Sequence, residues 1–221
     1  MSLGFRRLLG VALAGLAAVV VACGGSSESP QAVAEIEAWE EYQRGVELQE
    51  QGNLTRAFEA YSTAIGIYPR LAEAHAARGL VYYLYENLNP ALADLNTAIK
   101  LDPEMAKAYS YRGLVMAARE NADDALLNFT RAIQLDPELR DAYVNRARAN
   151  YQAQDYDAAL ADLSSAIDLD PRFPALHLTR GQVHLLLGNT ASAIADLEQV
   201  LALTQDEALV VPAKQLLAAI P

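Results

Sequence analysis

The chain has 221 residues, 17 of them basic and 28 acidic, for a net charge of −11, and glycine is scarce in its middle. That length is enough to bury a core as one domain or two small ones, and the acidic balance excludes nucleic acid or an anionic lipid surface as a direct partner, since either needs a basic patch. Alanine and leucine dominate and β-branched runs are nearly absent after residue 22, a composition that favours helices.

Residues 1–22 stand apart. "MSLGFRR" puts Arg6 and Arg7 ahead of the apolar run "LLGVALAGLAAVVVA", which is too short for a comfortable membrane span of roughly 20 residues and has the shape of an export signal. Ala22 directly before Cys23, with Val20 three positions ahead of the cysteine, resembles the bacterial lipobox. The resemblance implies cleavage after Ala22 and lipidation of Cys23 as the first residue of an exported lipoprotein, anchored to a bacterial membrane and facing the periplasm or the cell exterior. Cys23 is the only cysteine, so no internal disulfide competes for it. Loss of Arg6 and Arg7 takes 17 basic residues to 15 against 28 acids, and −11 becomes −13. Residues 23–37 then read as the lipidated cysteine, a flexible polar tether containing "GGSSESPQ", and the start of a first helix.

From there the chain repeats itself. Pro69, Pro103, Pro137 and Pro171 are each 34 residues after the last, within phrases such as "IKLDPEMAKAY" and "IQLDPELRDAY". Alanines follow the same period at Ala57, Ala91, Ala125, Ala159 and Ala193, and at Ala64, Ala98, Ala132 and Ala166. A repeat of this length indicates an array of stacked units. Each unit reads as two helices: "AKAYSYRGLVMAARE" has helical apolar spacing, "NADD" breaks and caps, and "ALLNFTRAIQL" resumes the helical period. The phrase "LDPE" is punctuation, its proline ending one pair and its aspartate, Asp102, Asp136 or Asp170, expected to cap the next helix.

With Gly45, Gly79, Gly113 and Gly181 at position 8 of the unit, alanines at 20 and 27 and proline at 32, the chain resembles the tetratricopeptide repeat family. Ala147 replaces the glycine in the fourth unit, and position 24 holds Tyr61, Leu95, Phe129, Leu163 and Leu197. The resemblance covers residues 38–205 as five units, 38–71, 72–105, 106–139, 140–173 and 174–205, with Val200 and Gln205 departing from the pattern in the last. It implies an all-α, right-handed superhelical solenoid of helix-turn-helix units, with residues 206–221 as a C-terminal capping helix, interrupted or restarted near Pro212. The small residues let the helices approach closely.

Arg44, Arg78, Arg112, Arg146 and Arg180 all occupy position 7, and position 23 holds Asp94, Asp162 and Asp196, with Asn128 in unit three and Ala60 in unit one. An arginine-to-acid clasp between the two helices of a unit accounts for this better than an anion-binding ladder. Arg44, lacking the acid, is the freest of the five. His75, His177 and His184 fall at packing positions in distant repeats and do not converge as metal ligands. No catalytic motif, phosphate loop, cofactor site or metal site is expected, and the chain is not read as an enzyme.

The family resemblance implies binding in the concave groove lined by the first helix of each unit. The candidate groove residues are Trp39, Tyr42, Val46, Leu80, Tyr83, Leu114, Val144, Arg148, Tyr151, Leu178 and Gln182. The same positions include Leu84 and Leu186, for which groove exposure and burial by stacking are both open. Some family members grip a terminal carboxylate with lysines, arginines and asparagines; here Lys107, Asn145 and Arg148 do not form the ordered set. The expected function is a lipid-anchored scaffold that binds a protein or peptide segment. Two alternatives are a structural subunit of a larger envelope complex and an accessory protein binding a glycan or other non-protein ligand through Tyr42, Tyr83 and Tyr151.

Overall fold

The computed structural model describes residues 29–220, which form eleven α-helices with no strand among them. The expected signal, Cys23 and most of the tether lie outside the described residues. The first helices of successive pairs are α1 (Pro30–Glu50), α3 (Ala72–Leu84), α5 (Ala106–Ala118), α7 (Arg140–Gln152) and α9 (Pro174–Leu186). Their partners are α2 (Leu54–Ile67), α4 (Leu88–Leu101), α6 (Ala122–Leu135), α8 (Tyr156–Leu169) and α10 (Thr190–Leu203), and α11 (Glu207–Ala219) ends the array. Each helix packs most heavily on its partner, and each second helix next on the first helix of the following pair. First helices also touch along the row, α1 with α3, α3 with α5 and α5 with α7, whereas among the described residues no two second helices meet. The first helices therefore form the inner row of a curved solenoid and the second helices its outer row.

Helix starts follow local chemistry. The Ser29 hydroxyl accepts from the Ala32 amide at 3.2 Å, with Pro30 in the first turn of α1. Asn53, Asn121 and Asp155 cap α2, α6 and α8 by accepting from the amide three residues on. The turn inside each pair passes through a left-handed residue at one fixed place: Gly52, Glu86, Glu120, Gln154 and Gly188, with φ from 59° to 76°. Three of these five are not glycine, and each such residue costs about 1 kcal/mol.

Two expectations are corrected. Asp102 and Asp136 do not cap the helices that follow; their Oδ1 atoms accept from the amides two residues on, Glu104 and Glu138, at 3.0 and 3.1 Å. The short aspartate side chain closes a turn onto its own backbone before the helix starts, and Asp170 instead accepts from Arg140 at 2.7 Å. The helices begin behind Leu71, Met105, Leu139 and Phe173, which provide no side-chain cap. The second correction concerns α11, which runs unbroken through Pro212. Proline there leaves the Ala208 carbonyl without its amide, but Ala208 is exposed and water can serve it. Meanwhile Leu209, Ala213, Leu216 and Leu217 hold the helix on Leu178, Leu197 and Val200.

The periodic alanines are packing contacts, all nine being fully buried. Glycine at position 8 answers to the residue at position 24. A Cβ on Gly45 or Gly113 would lie 2.5 Å from the Tyr61 or Phe129 ring, whereas one on Gly181 would lie 3.3 Å from Leu197. Leucine in the slot is less demanding but not uniformly so: a Cβ on Gly79 would still lie 2.9 Å from Leu95, whereas in the fourth pair Ala147 and Leu163 are buried together.

The position-7 arginines form the expected clasps and something further. Arg78, Arg146 and Arg180 each donate through Nε and Nη2 to Asp94, Asp162 and Asp196 of the same pair, at 2.6 to 3.2 Å. Arg112 donates to Asn128 at 2.8 Å. In all four, Nη1 reaches back to the second helix of the preceding pair, to Ser62, Asn96, Thr130 and Ser164 at 2.9 to 3.3 Å. Those four acceptors are themselves 34 residues apart. Each guanidinium thus joins two outer-row helices that do not otherwise meet. Hydrogen bonding to Asp94 or Asp196 holds Arg78 and Arg180 above the usual arginine range despite burial, whereas burial pulls Arg112, facing only an amide, below it. Arg44 has no such partner on α2; it is exposed and meets Glu41 of its own helix at 2.6 Å.

Substituting Gly113→Ala forces a methyl group onto the Phe129 ring and is expected to destabilise the protein by about 1–2 kcal/mol, overpacking outweighing the gain in helix propensity. Gly181→Ala is expected to leave stability unchanged or raise it by up to about 1 kcal/mol. Urea unfolding followed by circular dichroism compares the two; equal losses would show that position 24 does not decide the glycine.

Candidate functional site on the inner row of helices

The inner row presents aromatic and apolar side chains that its own packing leaves partly open. Trp39, Tyr42, Val46, Leu80, Tyr83, Leu114 and Val144 are half-buried, and Arg148, Tyr151 and Gln182 are exposed. Leu178 is corrected: it is buried with Leu197, Val200 and Ala213 beneath α11, because the terminal helix takes the place a sixth first helix would occupy. Leu84 and Leu186, open between two readings in the sequence, are 47% and 53% exposed.

At the N-terminal end the Trp39 and Tyr42 rings lie 5.1 Å apart, centroid to centroid, and Tyr42 is 5.9 Å from Tyr61. Tyr61 donates to Gln49 Oε1 at 3.1 Å. Burial first, then the neighbouring Glu73 carboxylate and Tyr111, push the Tyr42 hydroxyl up to about 12. Glu73, in the first turn of α3, is half-buried. Burial raises its carboxyl above the ordinary range, its own backbone amide opposes this, and Asp102 and Glu35 add to it.

Between α5 and α7 lies a cavity of about 310 Å³, lined by Tyr111, Leu114, Val144 and Asn145, with Lys107 and Asp141 at its edge. Tyr111 was not singled out in the sequence. It follows the patterned position Ser110 by one residue, and besides lining the cavity it packs against Ala76, Ala98 and Ala108. A larger open depression of about 580 Å³ lies in the turns around Arg140 and Asp170. Arg140 is already paired there with Asp141 and Asp170 at 2.9 and 2.7 Å and stacked on Phe173, so it offers no free cation.

His75 and His177 are structural, whereas His184 comes only within 4.0 Å of Asp196. His75 lies between Asp94 Oδ1 and the Pro69 carbonyl at 3.0 and 3.1 Å, and His177 between Asp196 and the Pro171 carbonyl at 3.4 and 2.9 Å. They tie the turn before a unit to its clasp. No group of three metal-ligating side chains converges among the described residues, and none of the described helices is long and apolar enough to cross a membrane.

A curved double row of helices with an open inner face defines a helical repeat solenoid. Tetratricopeptide repeat models match residues 86–140, 147–188 and 174–207, together more than half of the chain, which is a tetratricopeptide repeat protein. Solved structures share the fold. A thermophilic tetratricopeptide repeat protein of Thermus thermophilus superposes with a TM-score of 0.69 at 20% identity, over 82% of this chain and 99% of that one. PilF of Pseudomonas aeruginosa gives 0.73 at 17% identity over 86% and 87%. YrrB, described as having an unusual peptide-binding site, gives 0.60 at 21% over 86% and 100%. No curated protein sequence matches the chain.

The raised Glu73 carboxyl has a thermodynamic sign. The native state binds that proton more tightly than the unfolded chain does, so the group costs stability as pH rises through its range. Glu73→Gln is therefore expected to raise Tm at neutral pH, with the gain shrinking toward about pH 4 as both states become protonated. A Tm below wild type at neutral pH would mean that the carboxylate makes a net favourable contact.

Proposed function

We propose that the chain is a lipid-anchored scaffold that holds a segment of another protein in its inner groove, outside the cytoplasm, and has no chemistry of its own. In this reading residues 1–22 are the export signal, Cys23 carries the lipid, and five repeats follow over residues 38–205 with a terminal cap. The observation that carries it is the inner row itself. Tyr83, Leu80 and Leu114 stay half-open, Tyr151 and Leu84 are exposed, and a cavity large enough for a side chain opens between α5 and α7. Partly buried aromatic and aliphatic anchors are what a bound segment covers most favourably. The peptide-binding site ascribed to YrrB supports the same choice of ligand class.

The anchor and the groove are tested separately. In cells fed an alkyne fatty acid, the wild type is expected to take up label and Cys23→Ala to lose it; label retained by the variant would remove the lipid from the account. For the groove, partners captured by in-cell crosslinking are compared between the wild type and a Leu80→Asp, Tyr83→Asp double variant shown by circular dichroism to remain helical. Loss of one or a few partners from the variant is expected. An unchanged set would move the binding site off the inner face.

A further inference from the structure

The inner groove is not uniform in charge. Toward the N-terminus its positions carry Glu50 and Glu73, with Glu35 one turn before Trp39 and Asp102 in the turn after α4, and no lysine or arginine stands at a groove position before Lys107. The arginines of the same helices are committed elsewhere, Arg78 to Asp94 and Arg44 to Glu41. Glu73 is the focus of this region: half-buried, with only acids, Asp102 and Glu35, among the charged groups that act on it. Trp39 and Tyr42, whose rings lie 5.1 Å apart, pack against the buried cluster that includes Leu71 and Ala74, two residues before Glu73 and one after it. A partly desolvated carboxylate against aromatic rings has the chemistry that receives an ammonium or guanidinium group, combining a charge-assisted hydrogen bond with cation–π attraction. The next feature along the groove is the cavity lined by Tyr111, Leu114 and Val144, and Tyr111 also packs against the cluster of Ala76, Ala98 and Ala108, one of which, Ala76, lies on the same helix as Glu73.

We propose that the N-terminal half of the groove selects its partner by a lysine or arginine side chain seated on Glu73 against Trp39 and Tyr42, while an apolar side chain of the same segment enters the cavity between α5 and α7. This rests on the peptide-binding reading of the groove and names the partner's chemistry, a basic amphipathic segment. Inner-row helices stand roughly 10 Å apart and an extended chain rises about 3.3 Å per residue, so the two anchor residues are separated by about three to five positions. The net charge of −11 works in the same direction, drawing basic segments in and repelling acidic ones.

The test pans a phage-displayed library of random peptides, roughly 12 residues long so as to span both sites, on the detergent-solubilised full chain and on its Glu73→Gln and Leu80→Asp, Tyr83→Asp variants, each checked for helicity. Wild type is expected to enrich peptides with lysine or arginine about three to five positions from a large apolar residue, and Glu73→Gln to lose the basic preference while keeping the apolar one. The best peptide is expected to weaken by about 3- to 30-fold when its lysine is replaced by norleucine on wild type, and by no more than about twofold on Glu73→Gln. Apolar peptides without a basic preference, or a basic preference that survives Glu73→Gln, would overturn this inference and leave the groove as a peptide site. No enriched peptide at all, or enrichment untouched by Leu80→Asp, Tyr83→Asp, would overturn the peptide-binding reading and this inference with it.

Discussion

The array depends on a guanidinium placed where two outer-row helices fail to meet. Arg78, Arg112, Arg146 and Arg180 sit on inner-row helices and reach outward between the second helix of their own pair and that of the preceding one. Stacking against the alanines closes each pair through apolar contact, which has no preferred direction. The arginines add direction. Their planar fork takes a carboxylate with two donors and leaves a third for the neighbour, so rotation about a junction would break a charge-assisted bond. Breaking a buried pair of this kind costs up to about 3–5 kcal/mol, less where the guanidinium keeps some contact with water. The Arg112 rung shows what the carboxylate contributes: with Asn128 opposite, the geometry survives while no carboxylate bonds the guanidinium directly.

Much of this was legible because a 34-residue period multiplies weak local signals. One proline or one buried alanine carries little, but four or five in phase define a unit, and the clasp between Arg78 and Asp94 could be read from the same phase. The far end of the ladder escaped notice although Ser62, Asn96, Thr130 and Ser164 are equally periodic. Serine, asparagine and threonine differ in shape and have in common a short polar side chain that can accept a hydrogen bond, and a pattern sought by residue type does not group them. The left-handed turn was hidden for a related reason: Glu86, Glu120 and Gln154 hold a conformation normally flagged by glycine. Asp102 misled because aspartate closes a turn on its own backbone with the same atoms it uses to cap a helix.

The candidate site was legible in position but not in character. Inner-row positions follow from the repeat, and most of the residues read from them are partly open in the structure. Leu178 is the exception because its neighbour is the terminal helix, which follows no repeat pattern. Glu73 stood at a groove position but drew no notice beside its aromatic neighbours. Its significance comes from company that is remote in sequence, Glu35 and Asp102 for charge and Tyr42 for the ring, and no spacing rule brings those together.

The inner row touching at three of its four junctions and the outer row joined by single side chains make those junctions hinges with a strut on the open side. The strut's far anchor is a hydroxyl in three junctions and the longer amide of Asn96 in one. Its reach is therefore set residue by residue, and a small change at one anchor swings the whole remainder of the solenoid about that junction as a lever. Curvature, and with it the width of the groove, can drift through substitutions on the outer face that never touch a bound segment.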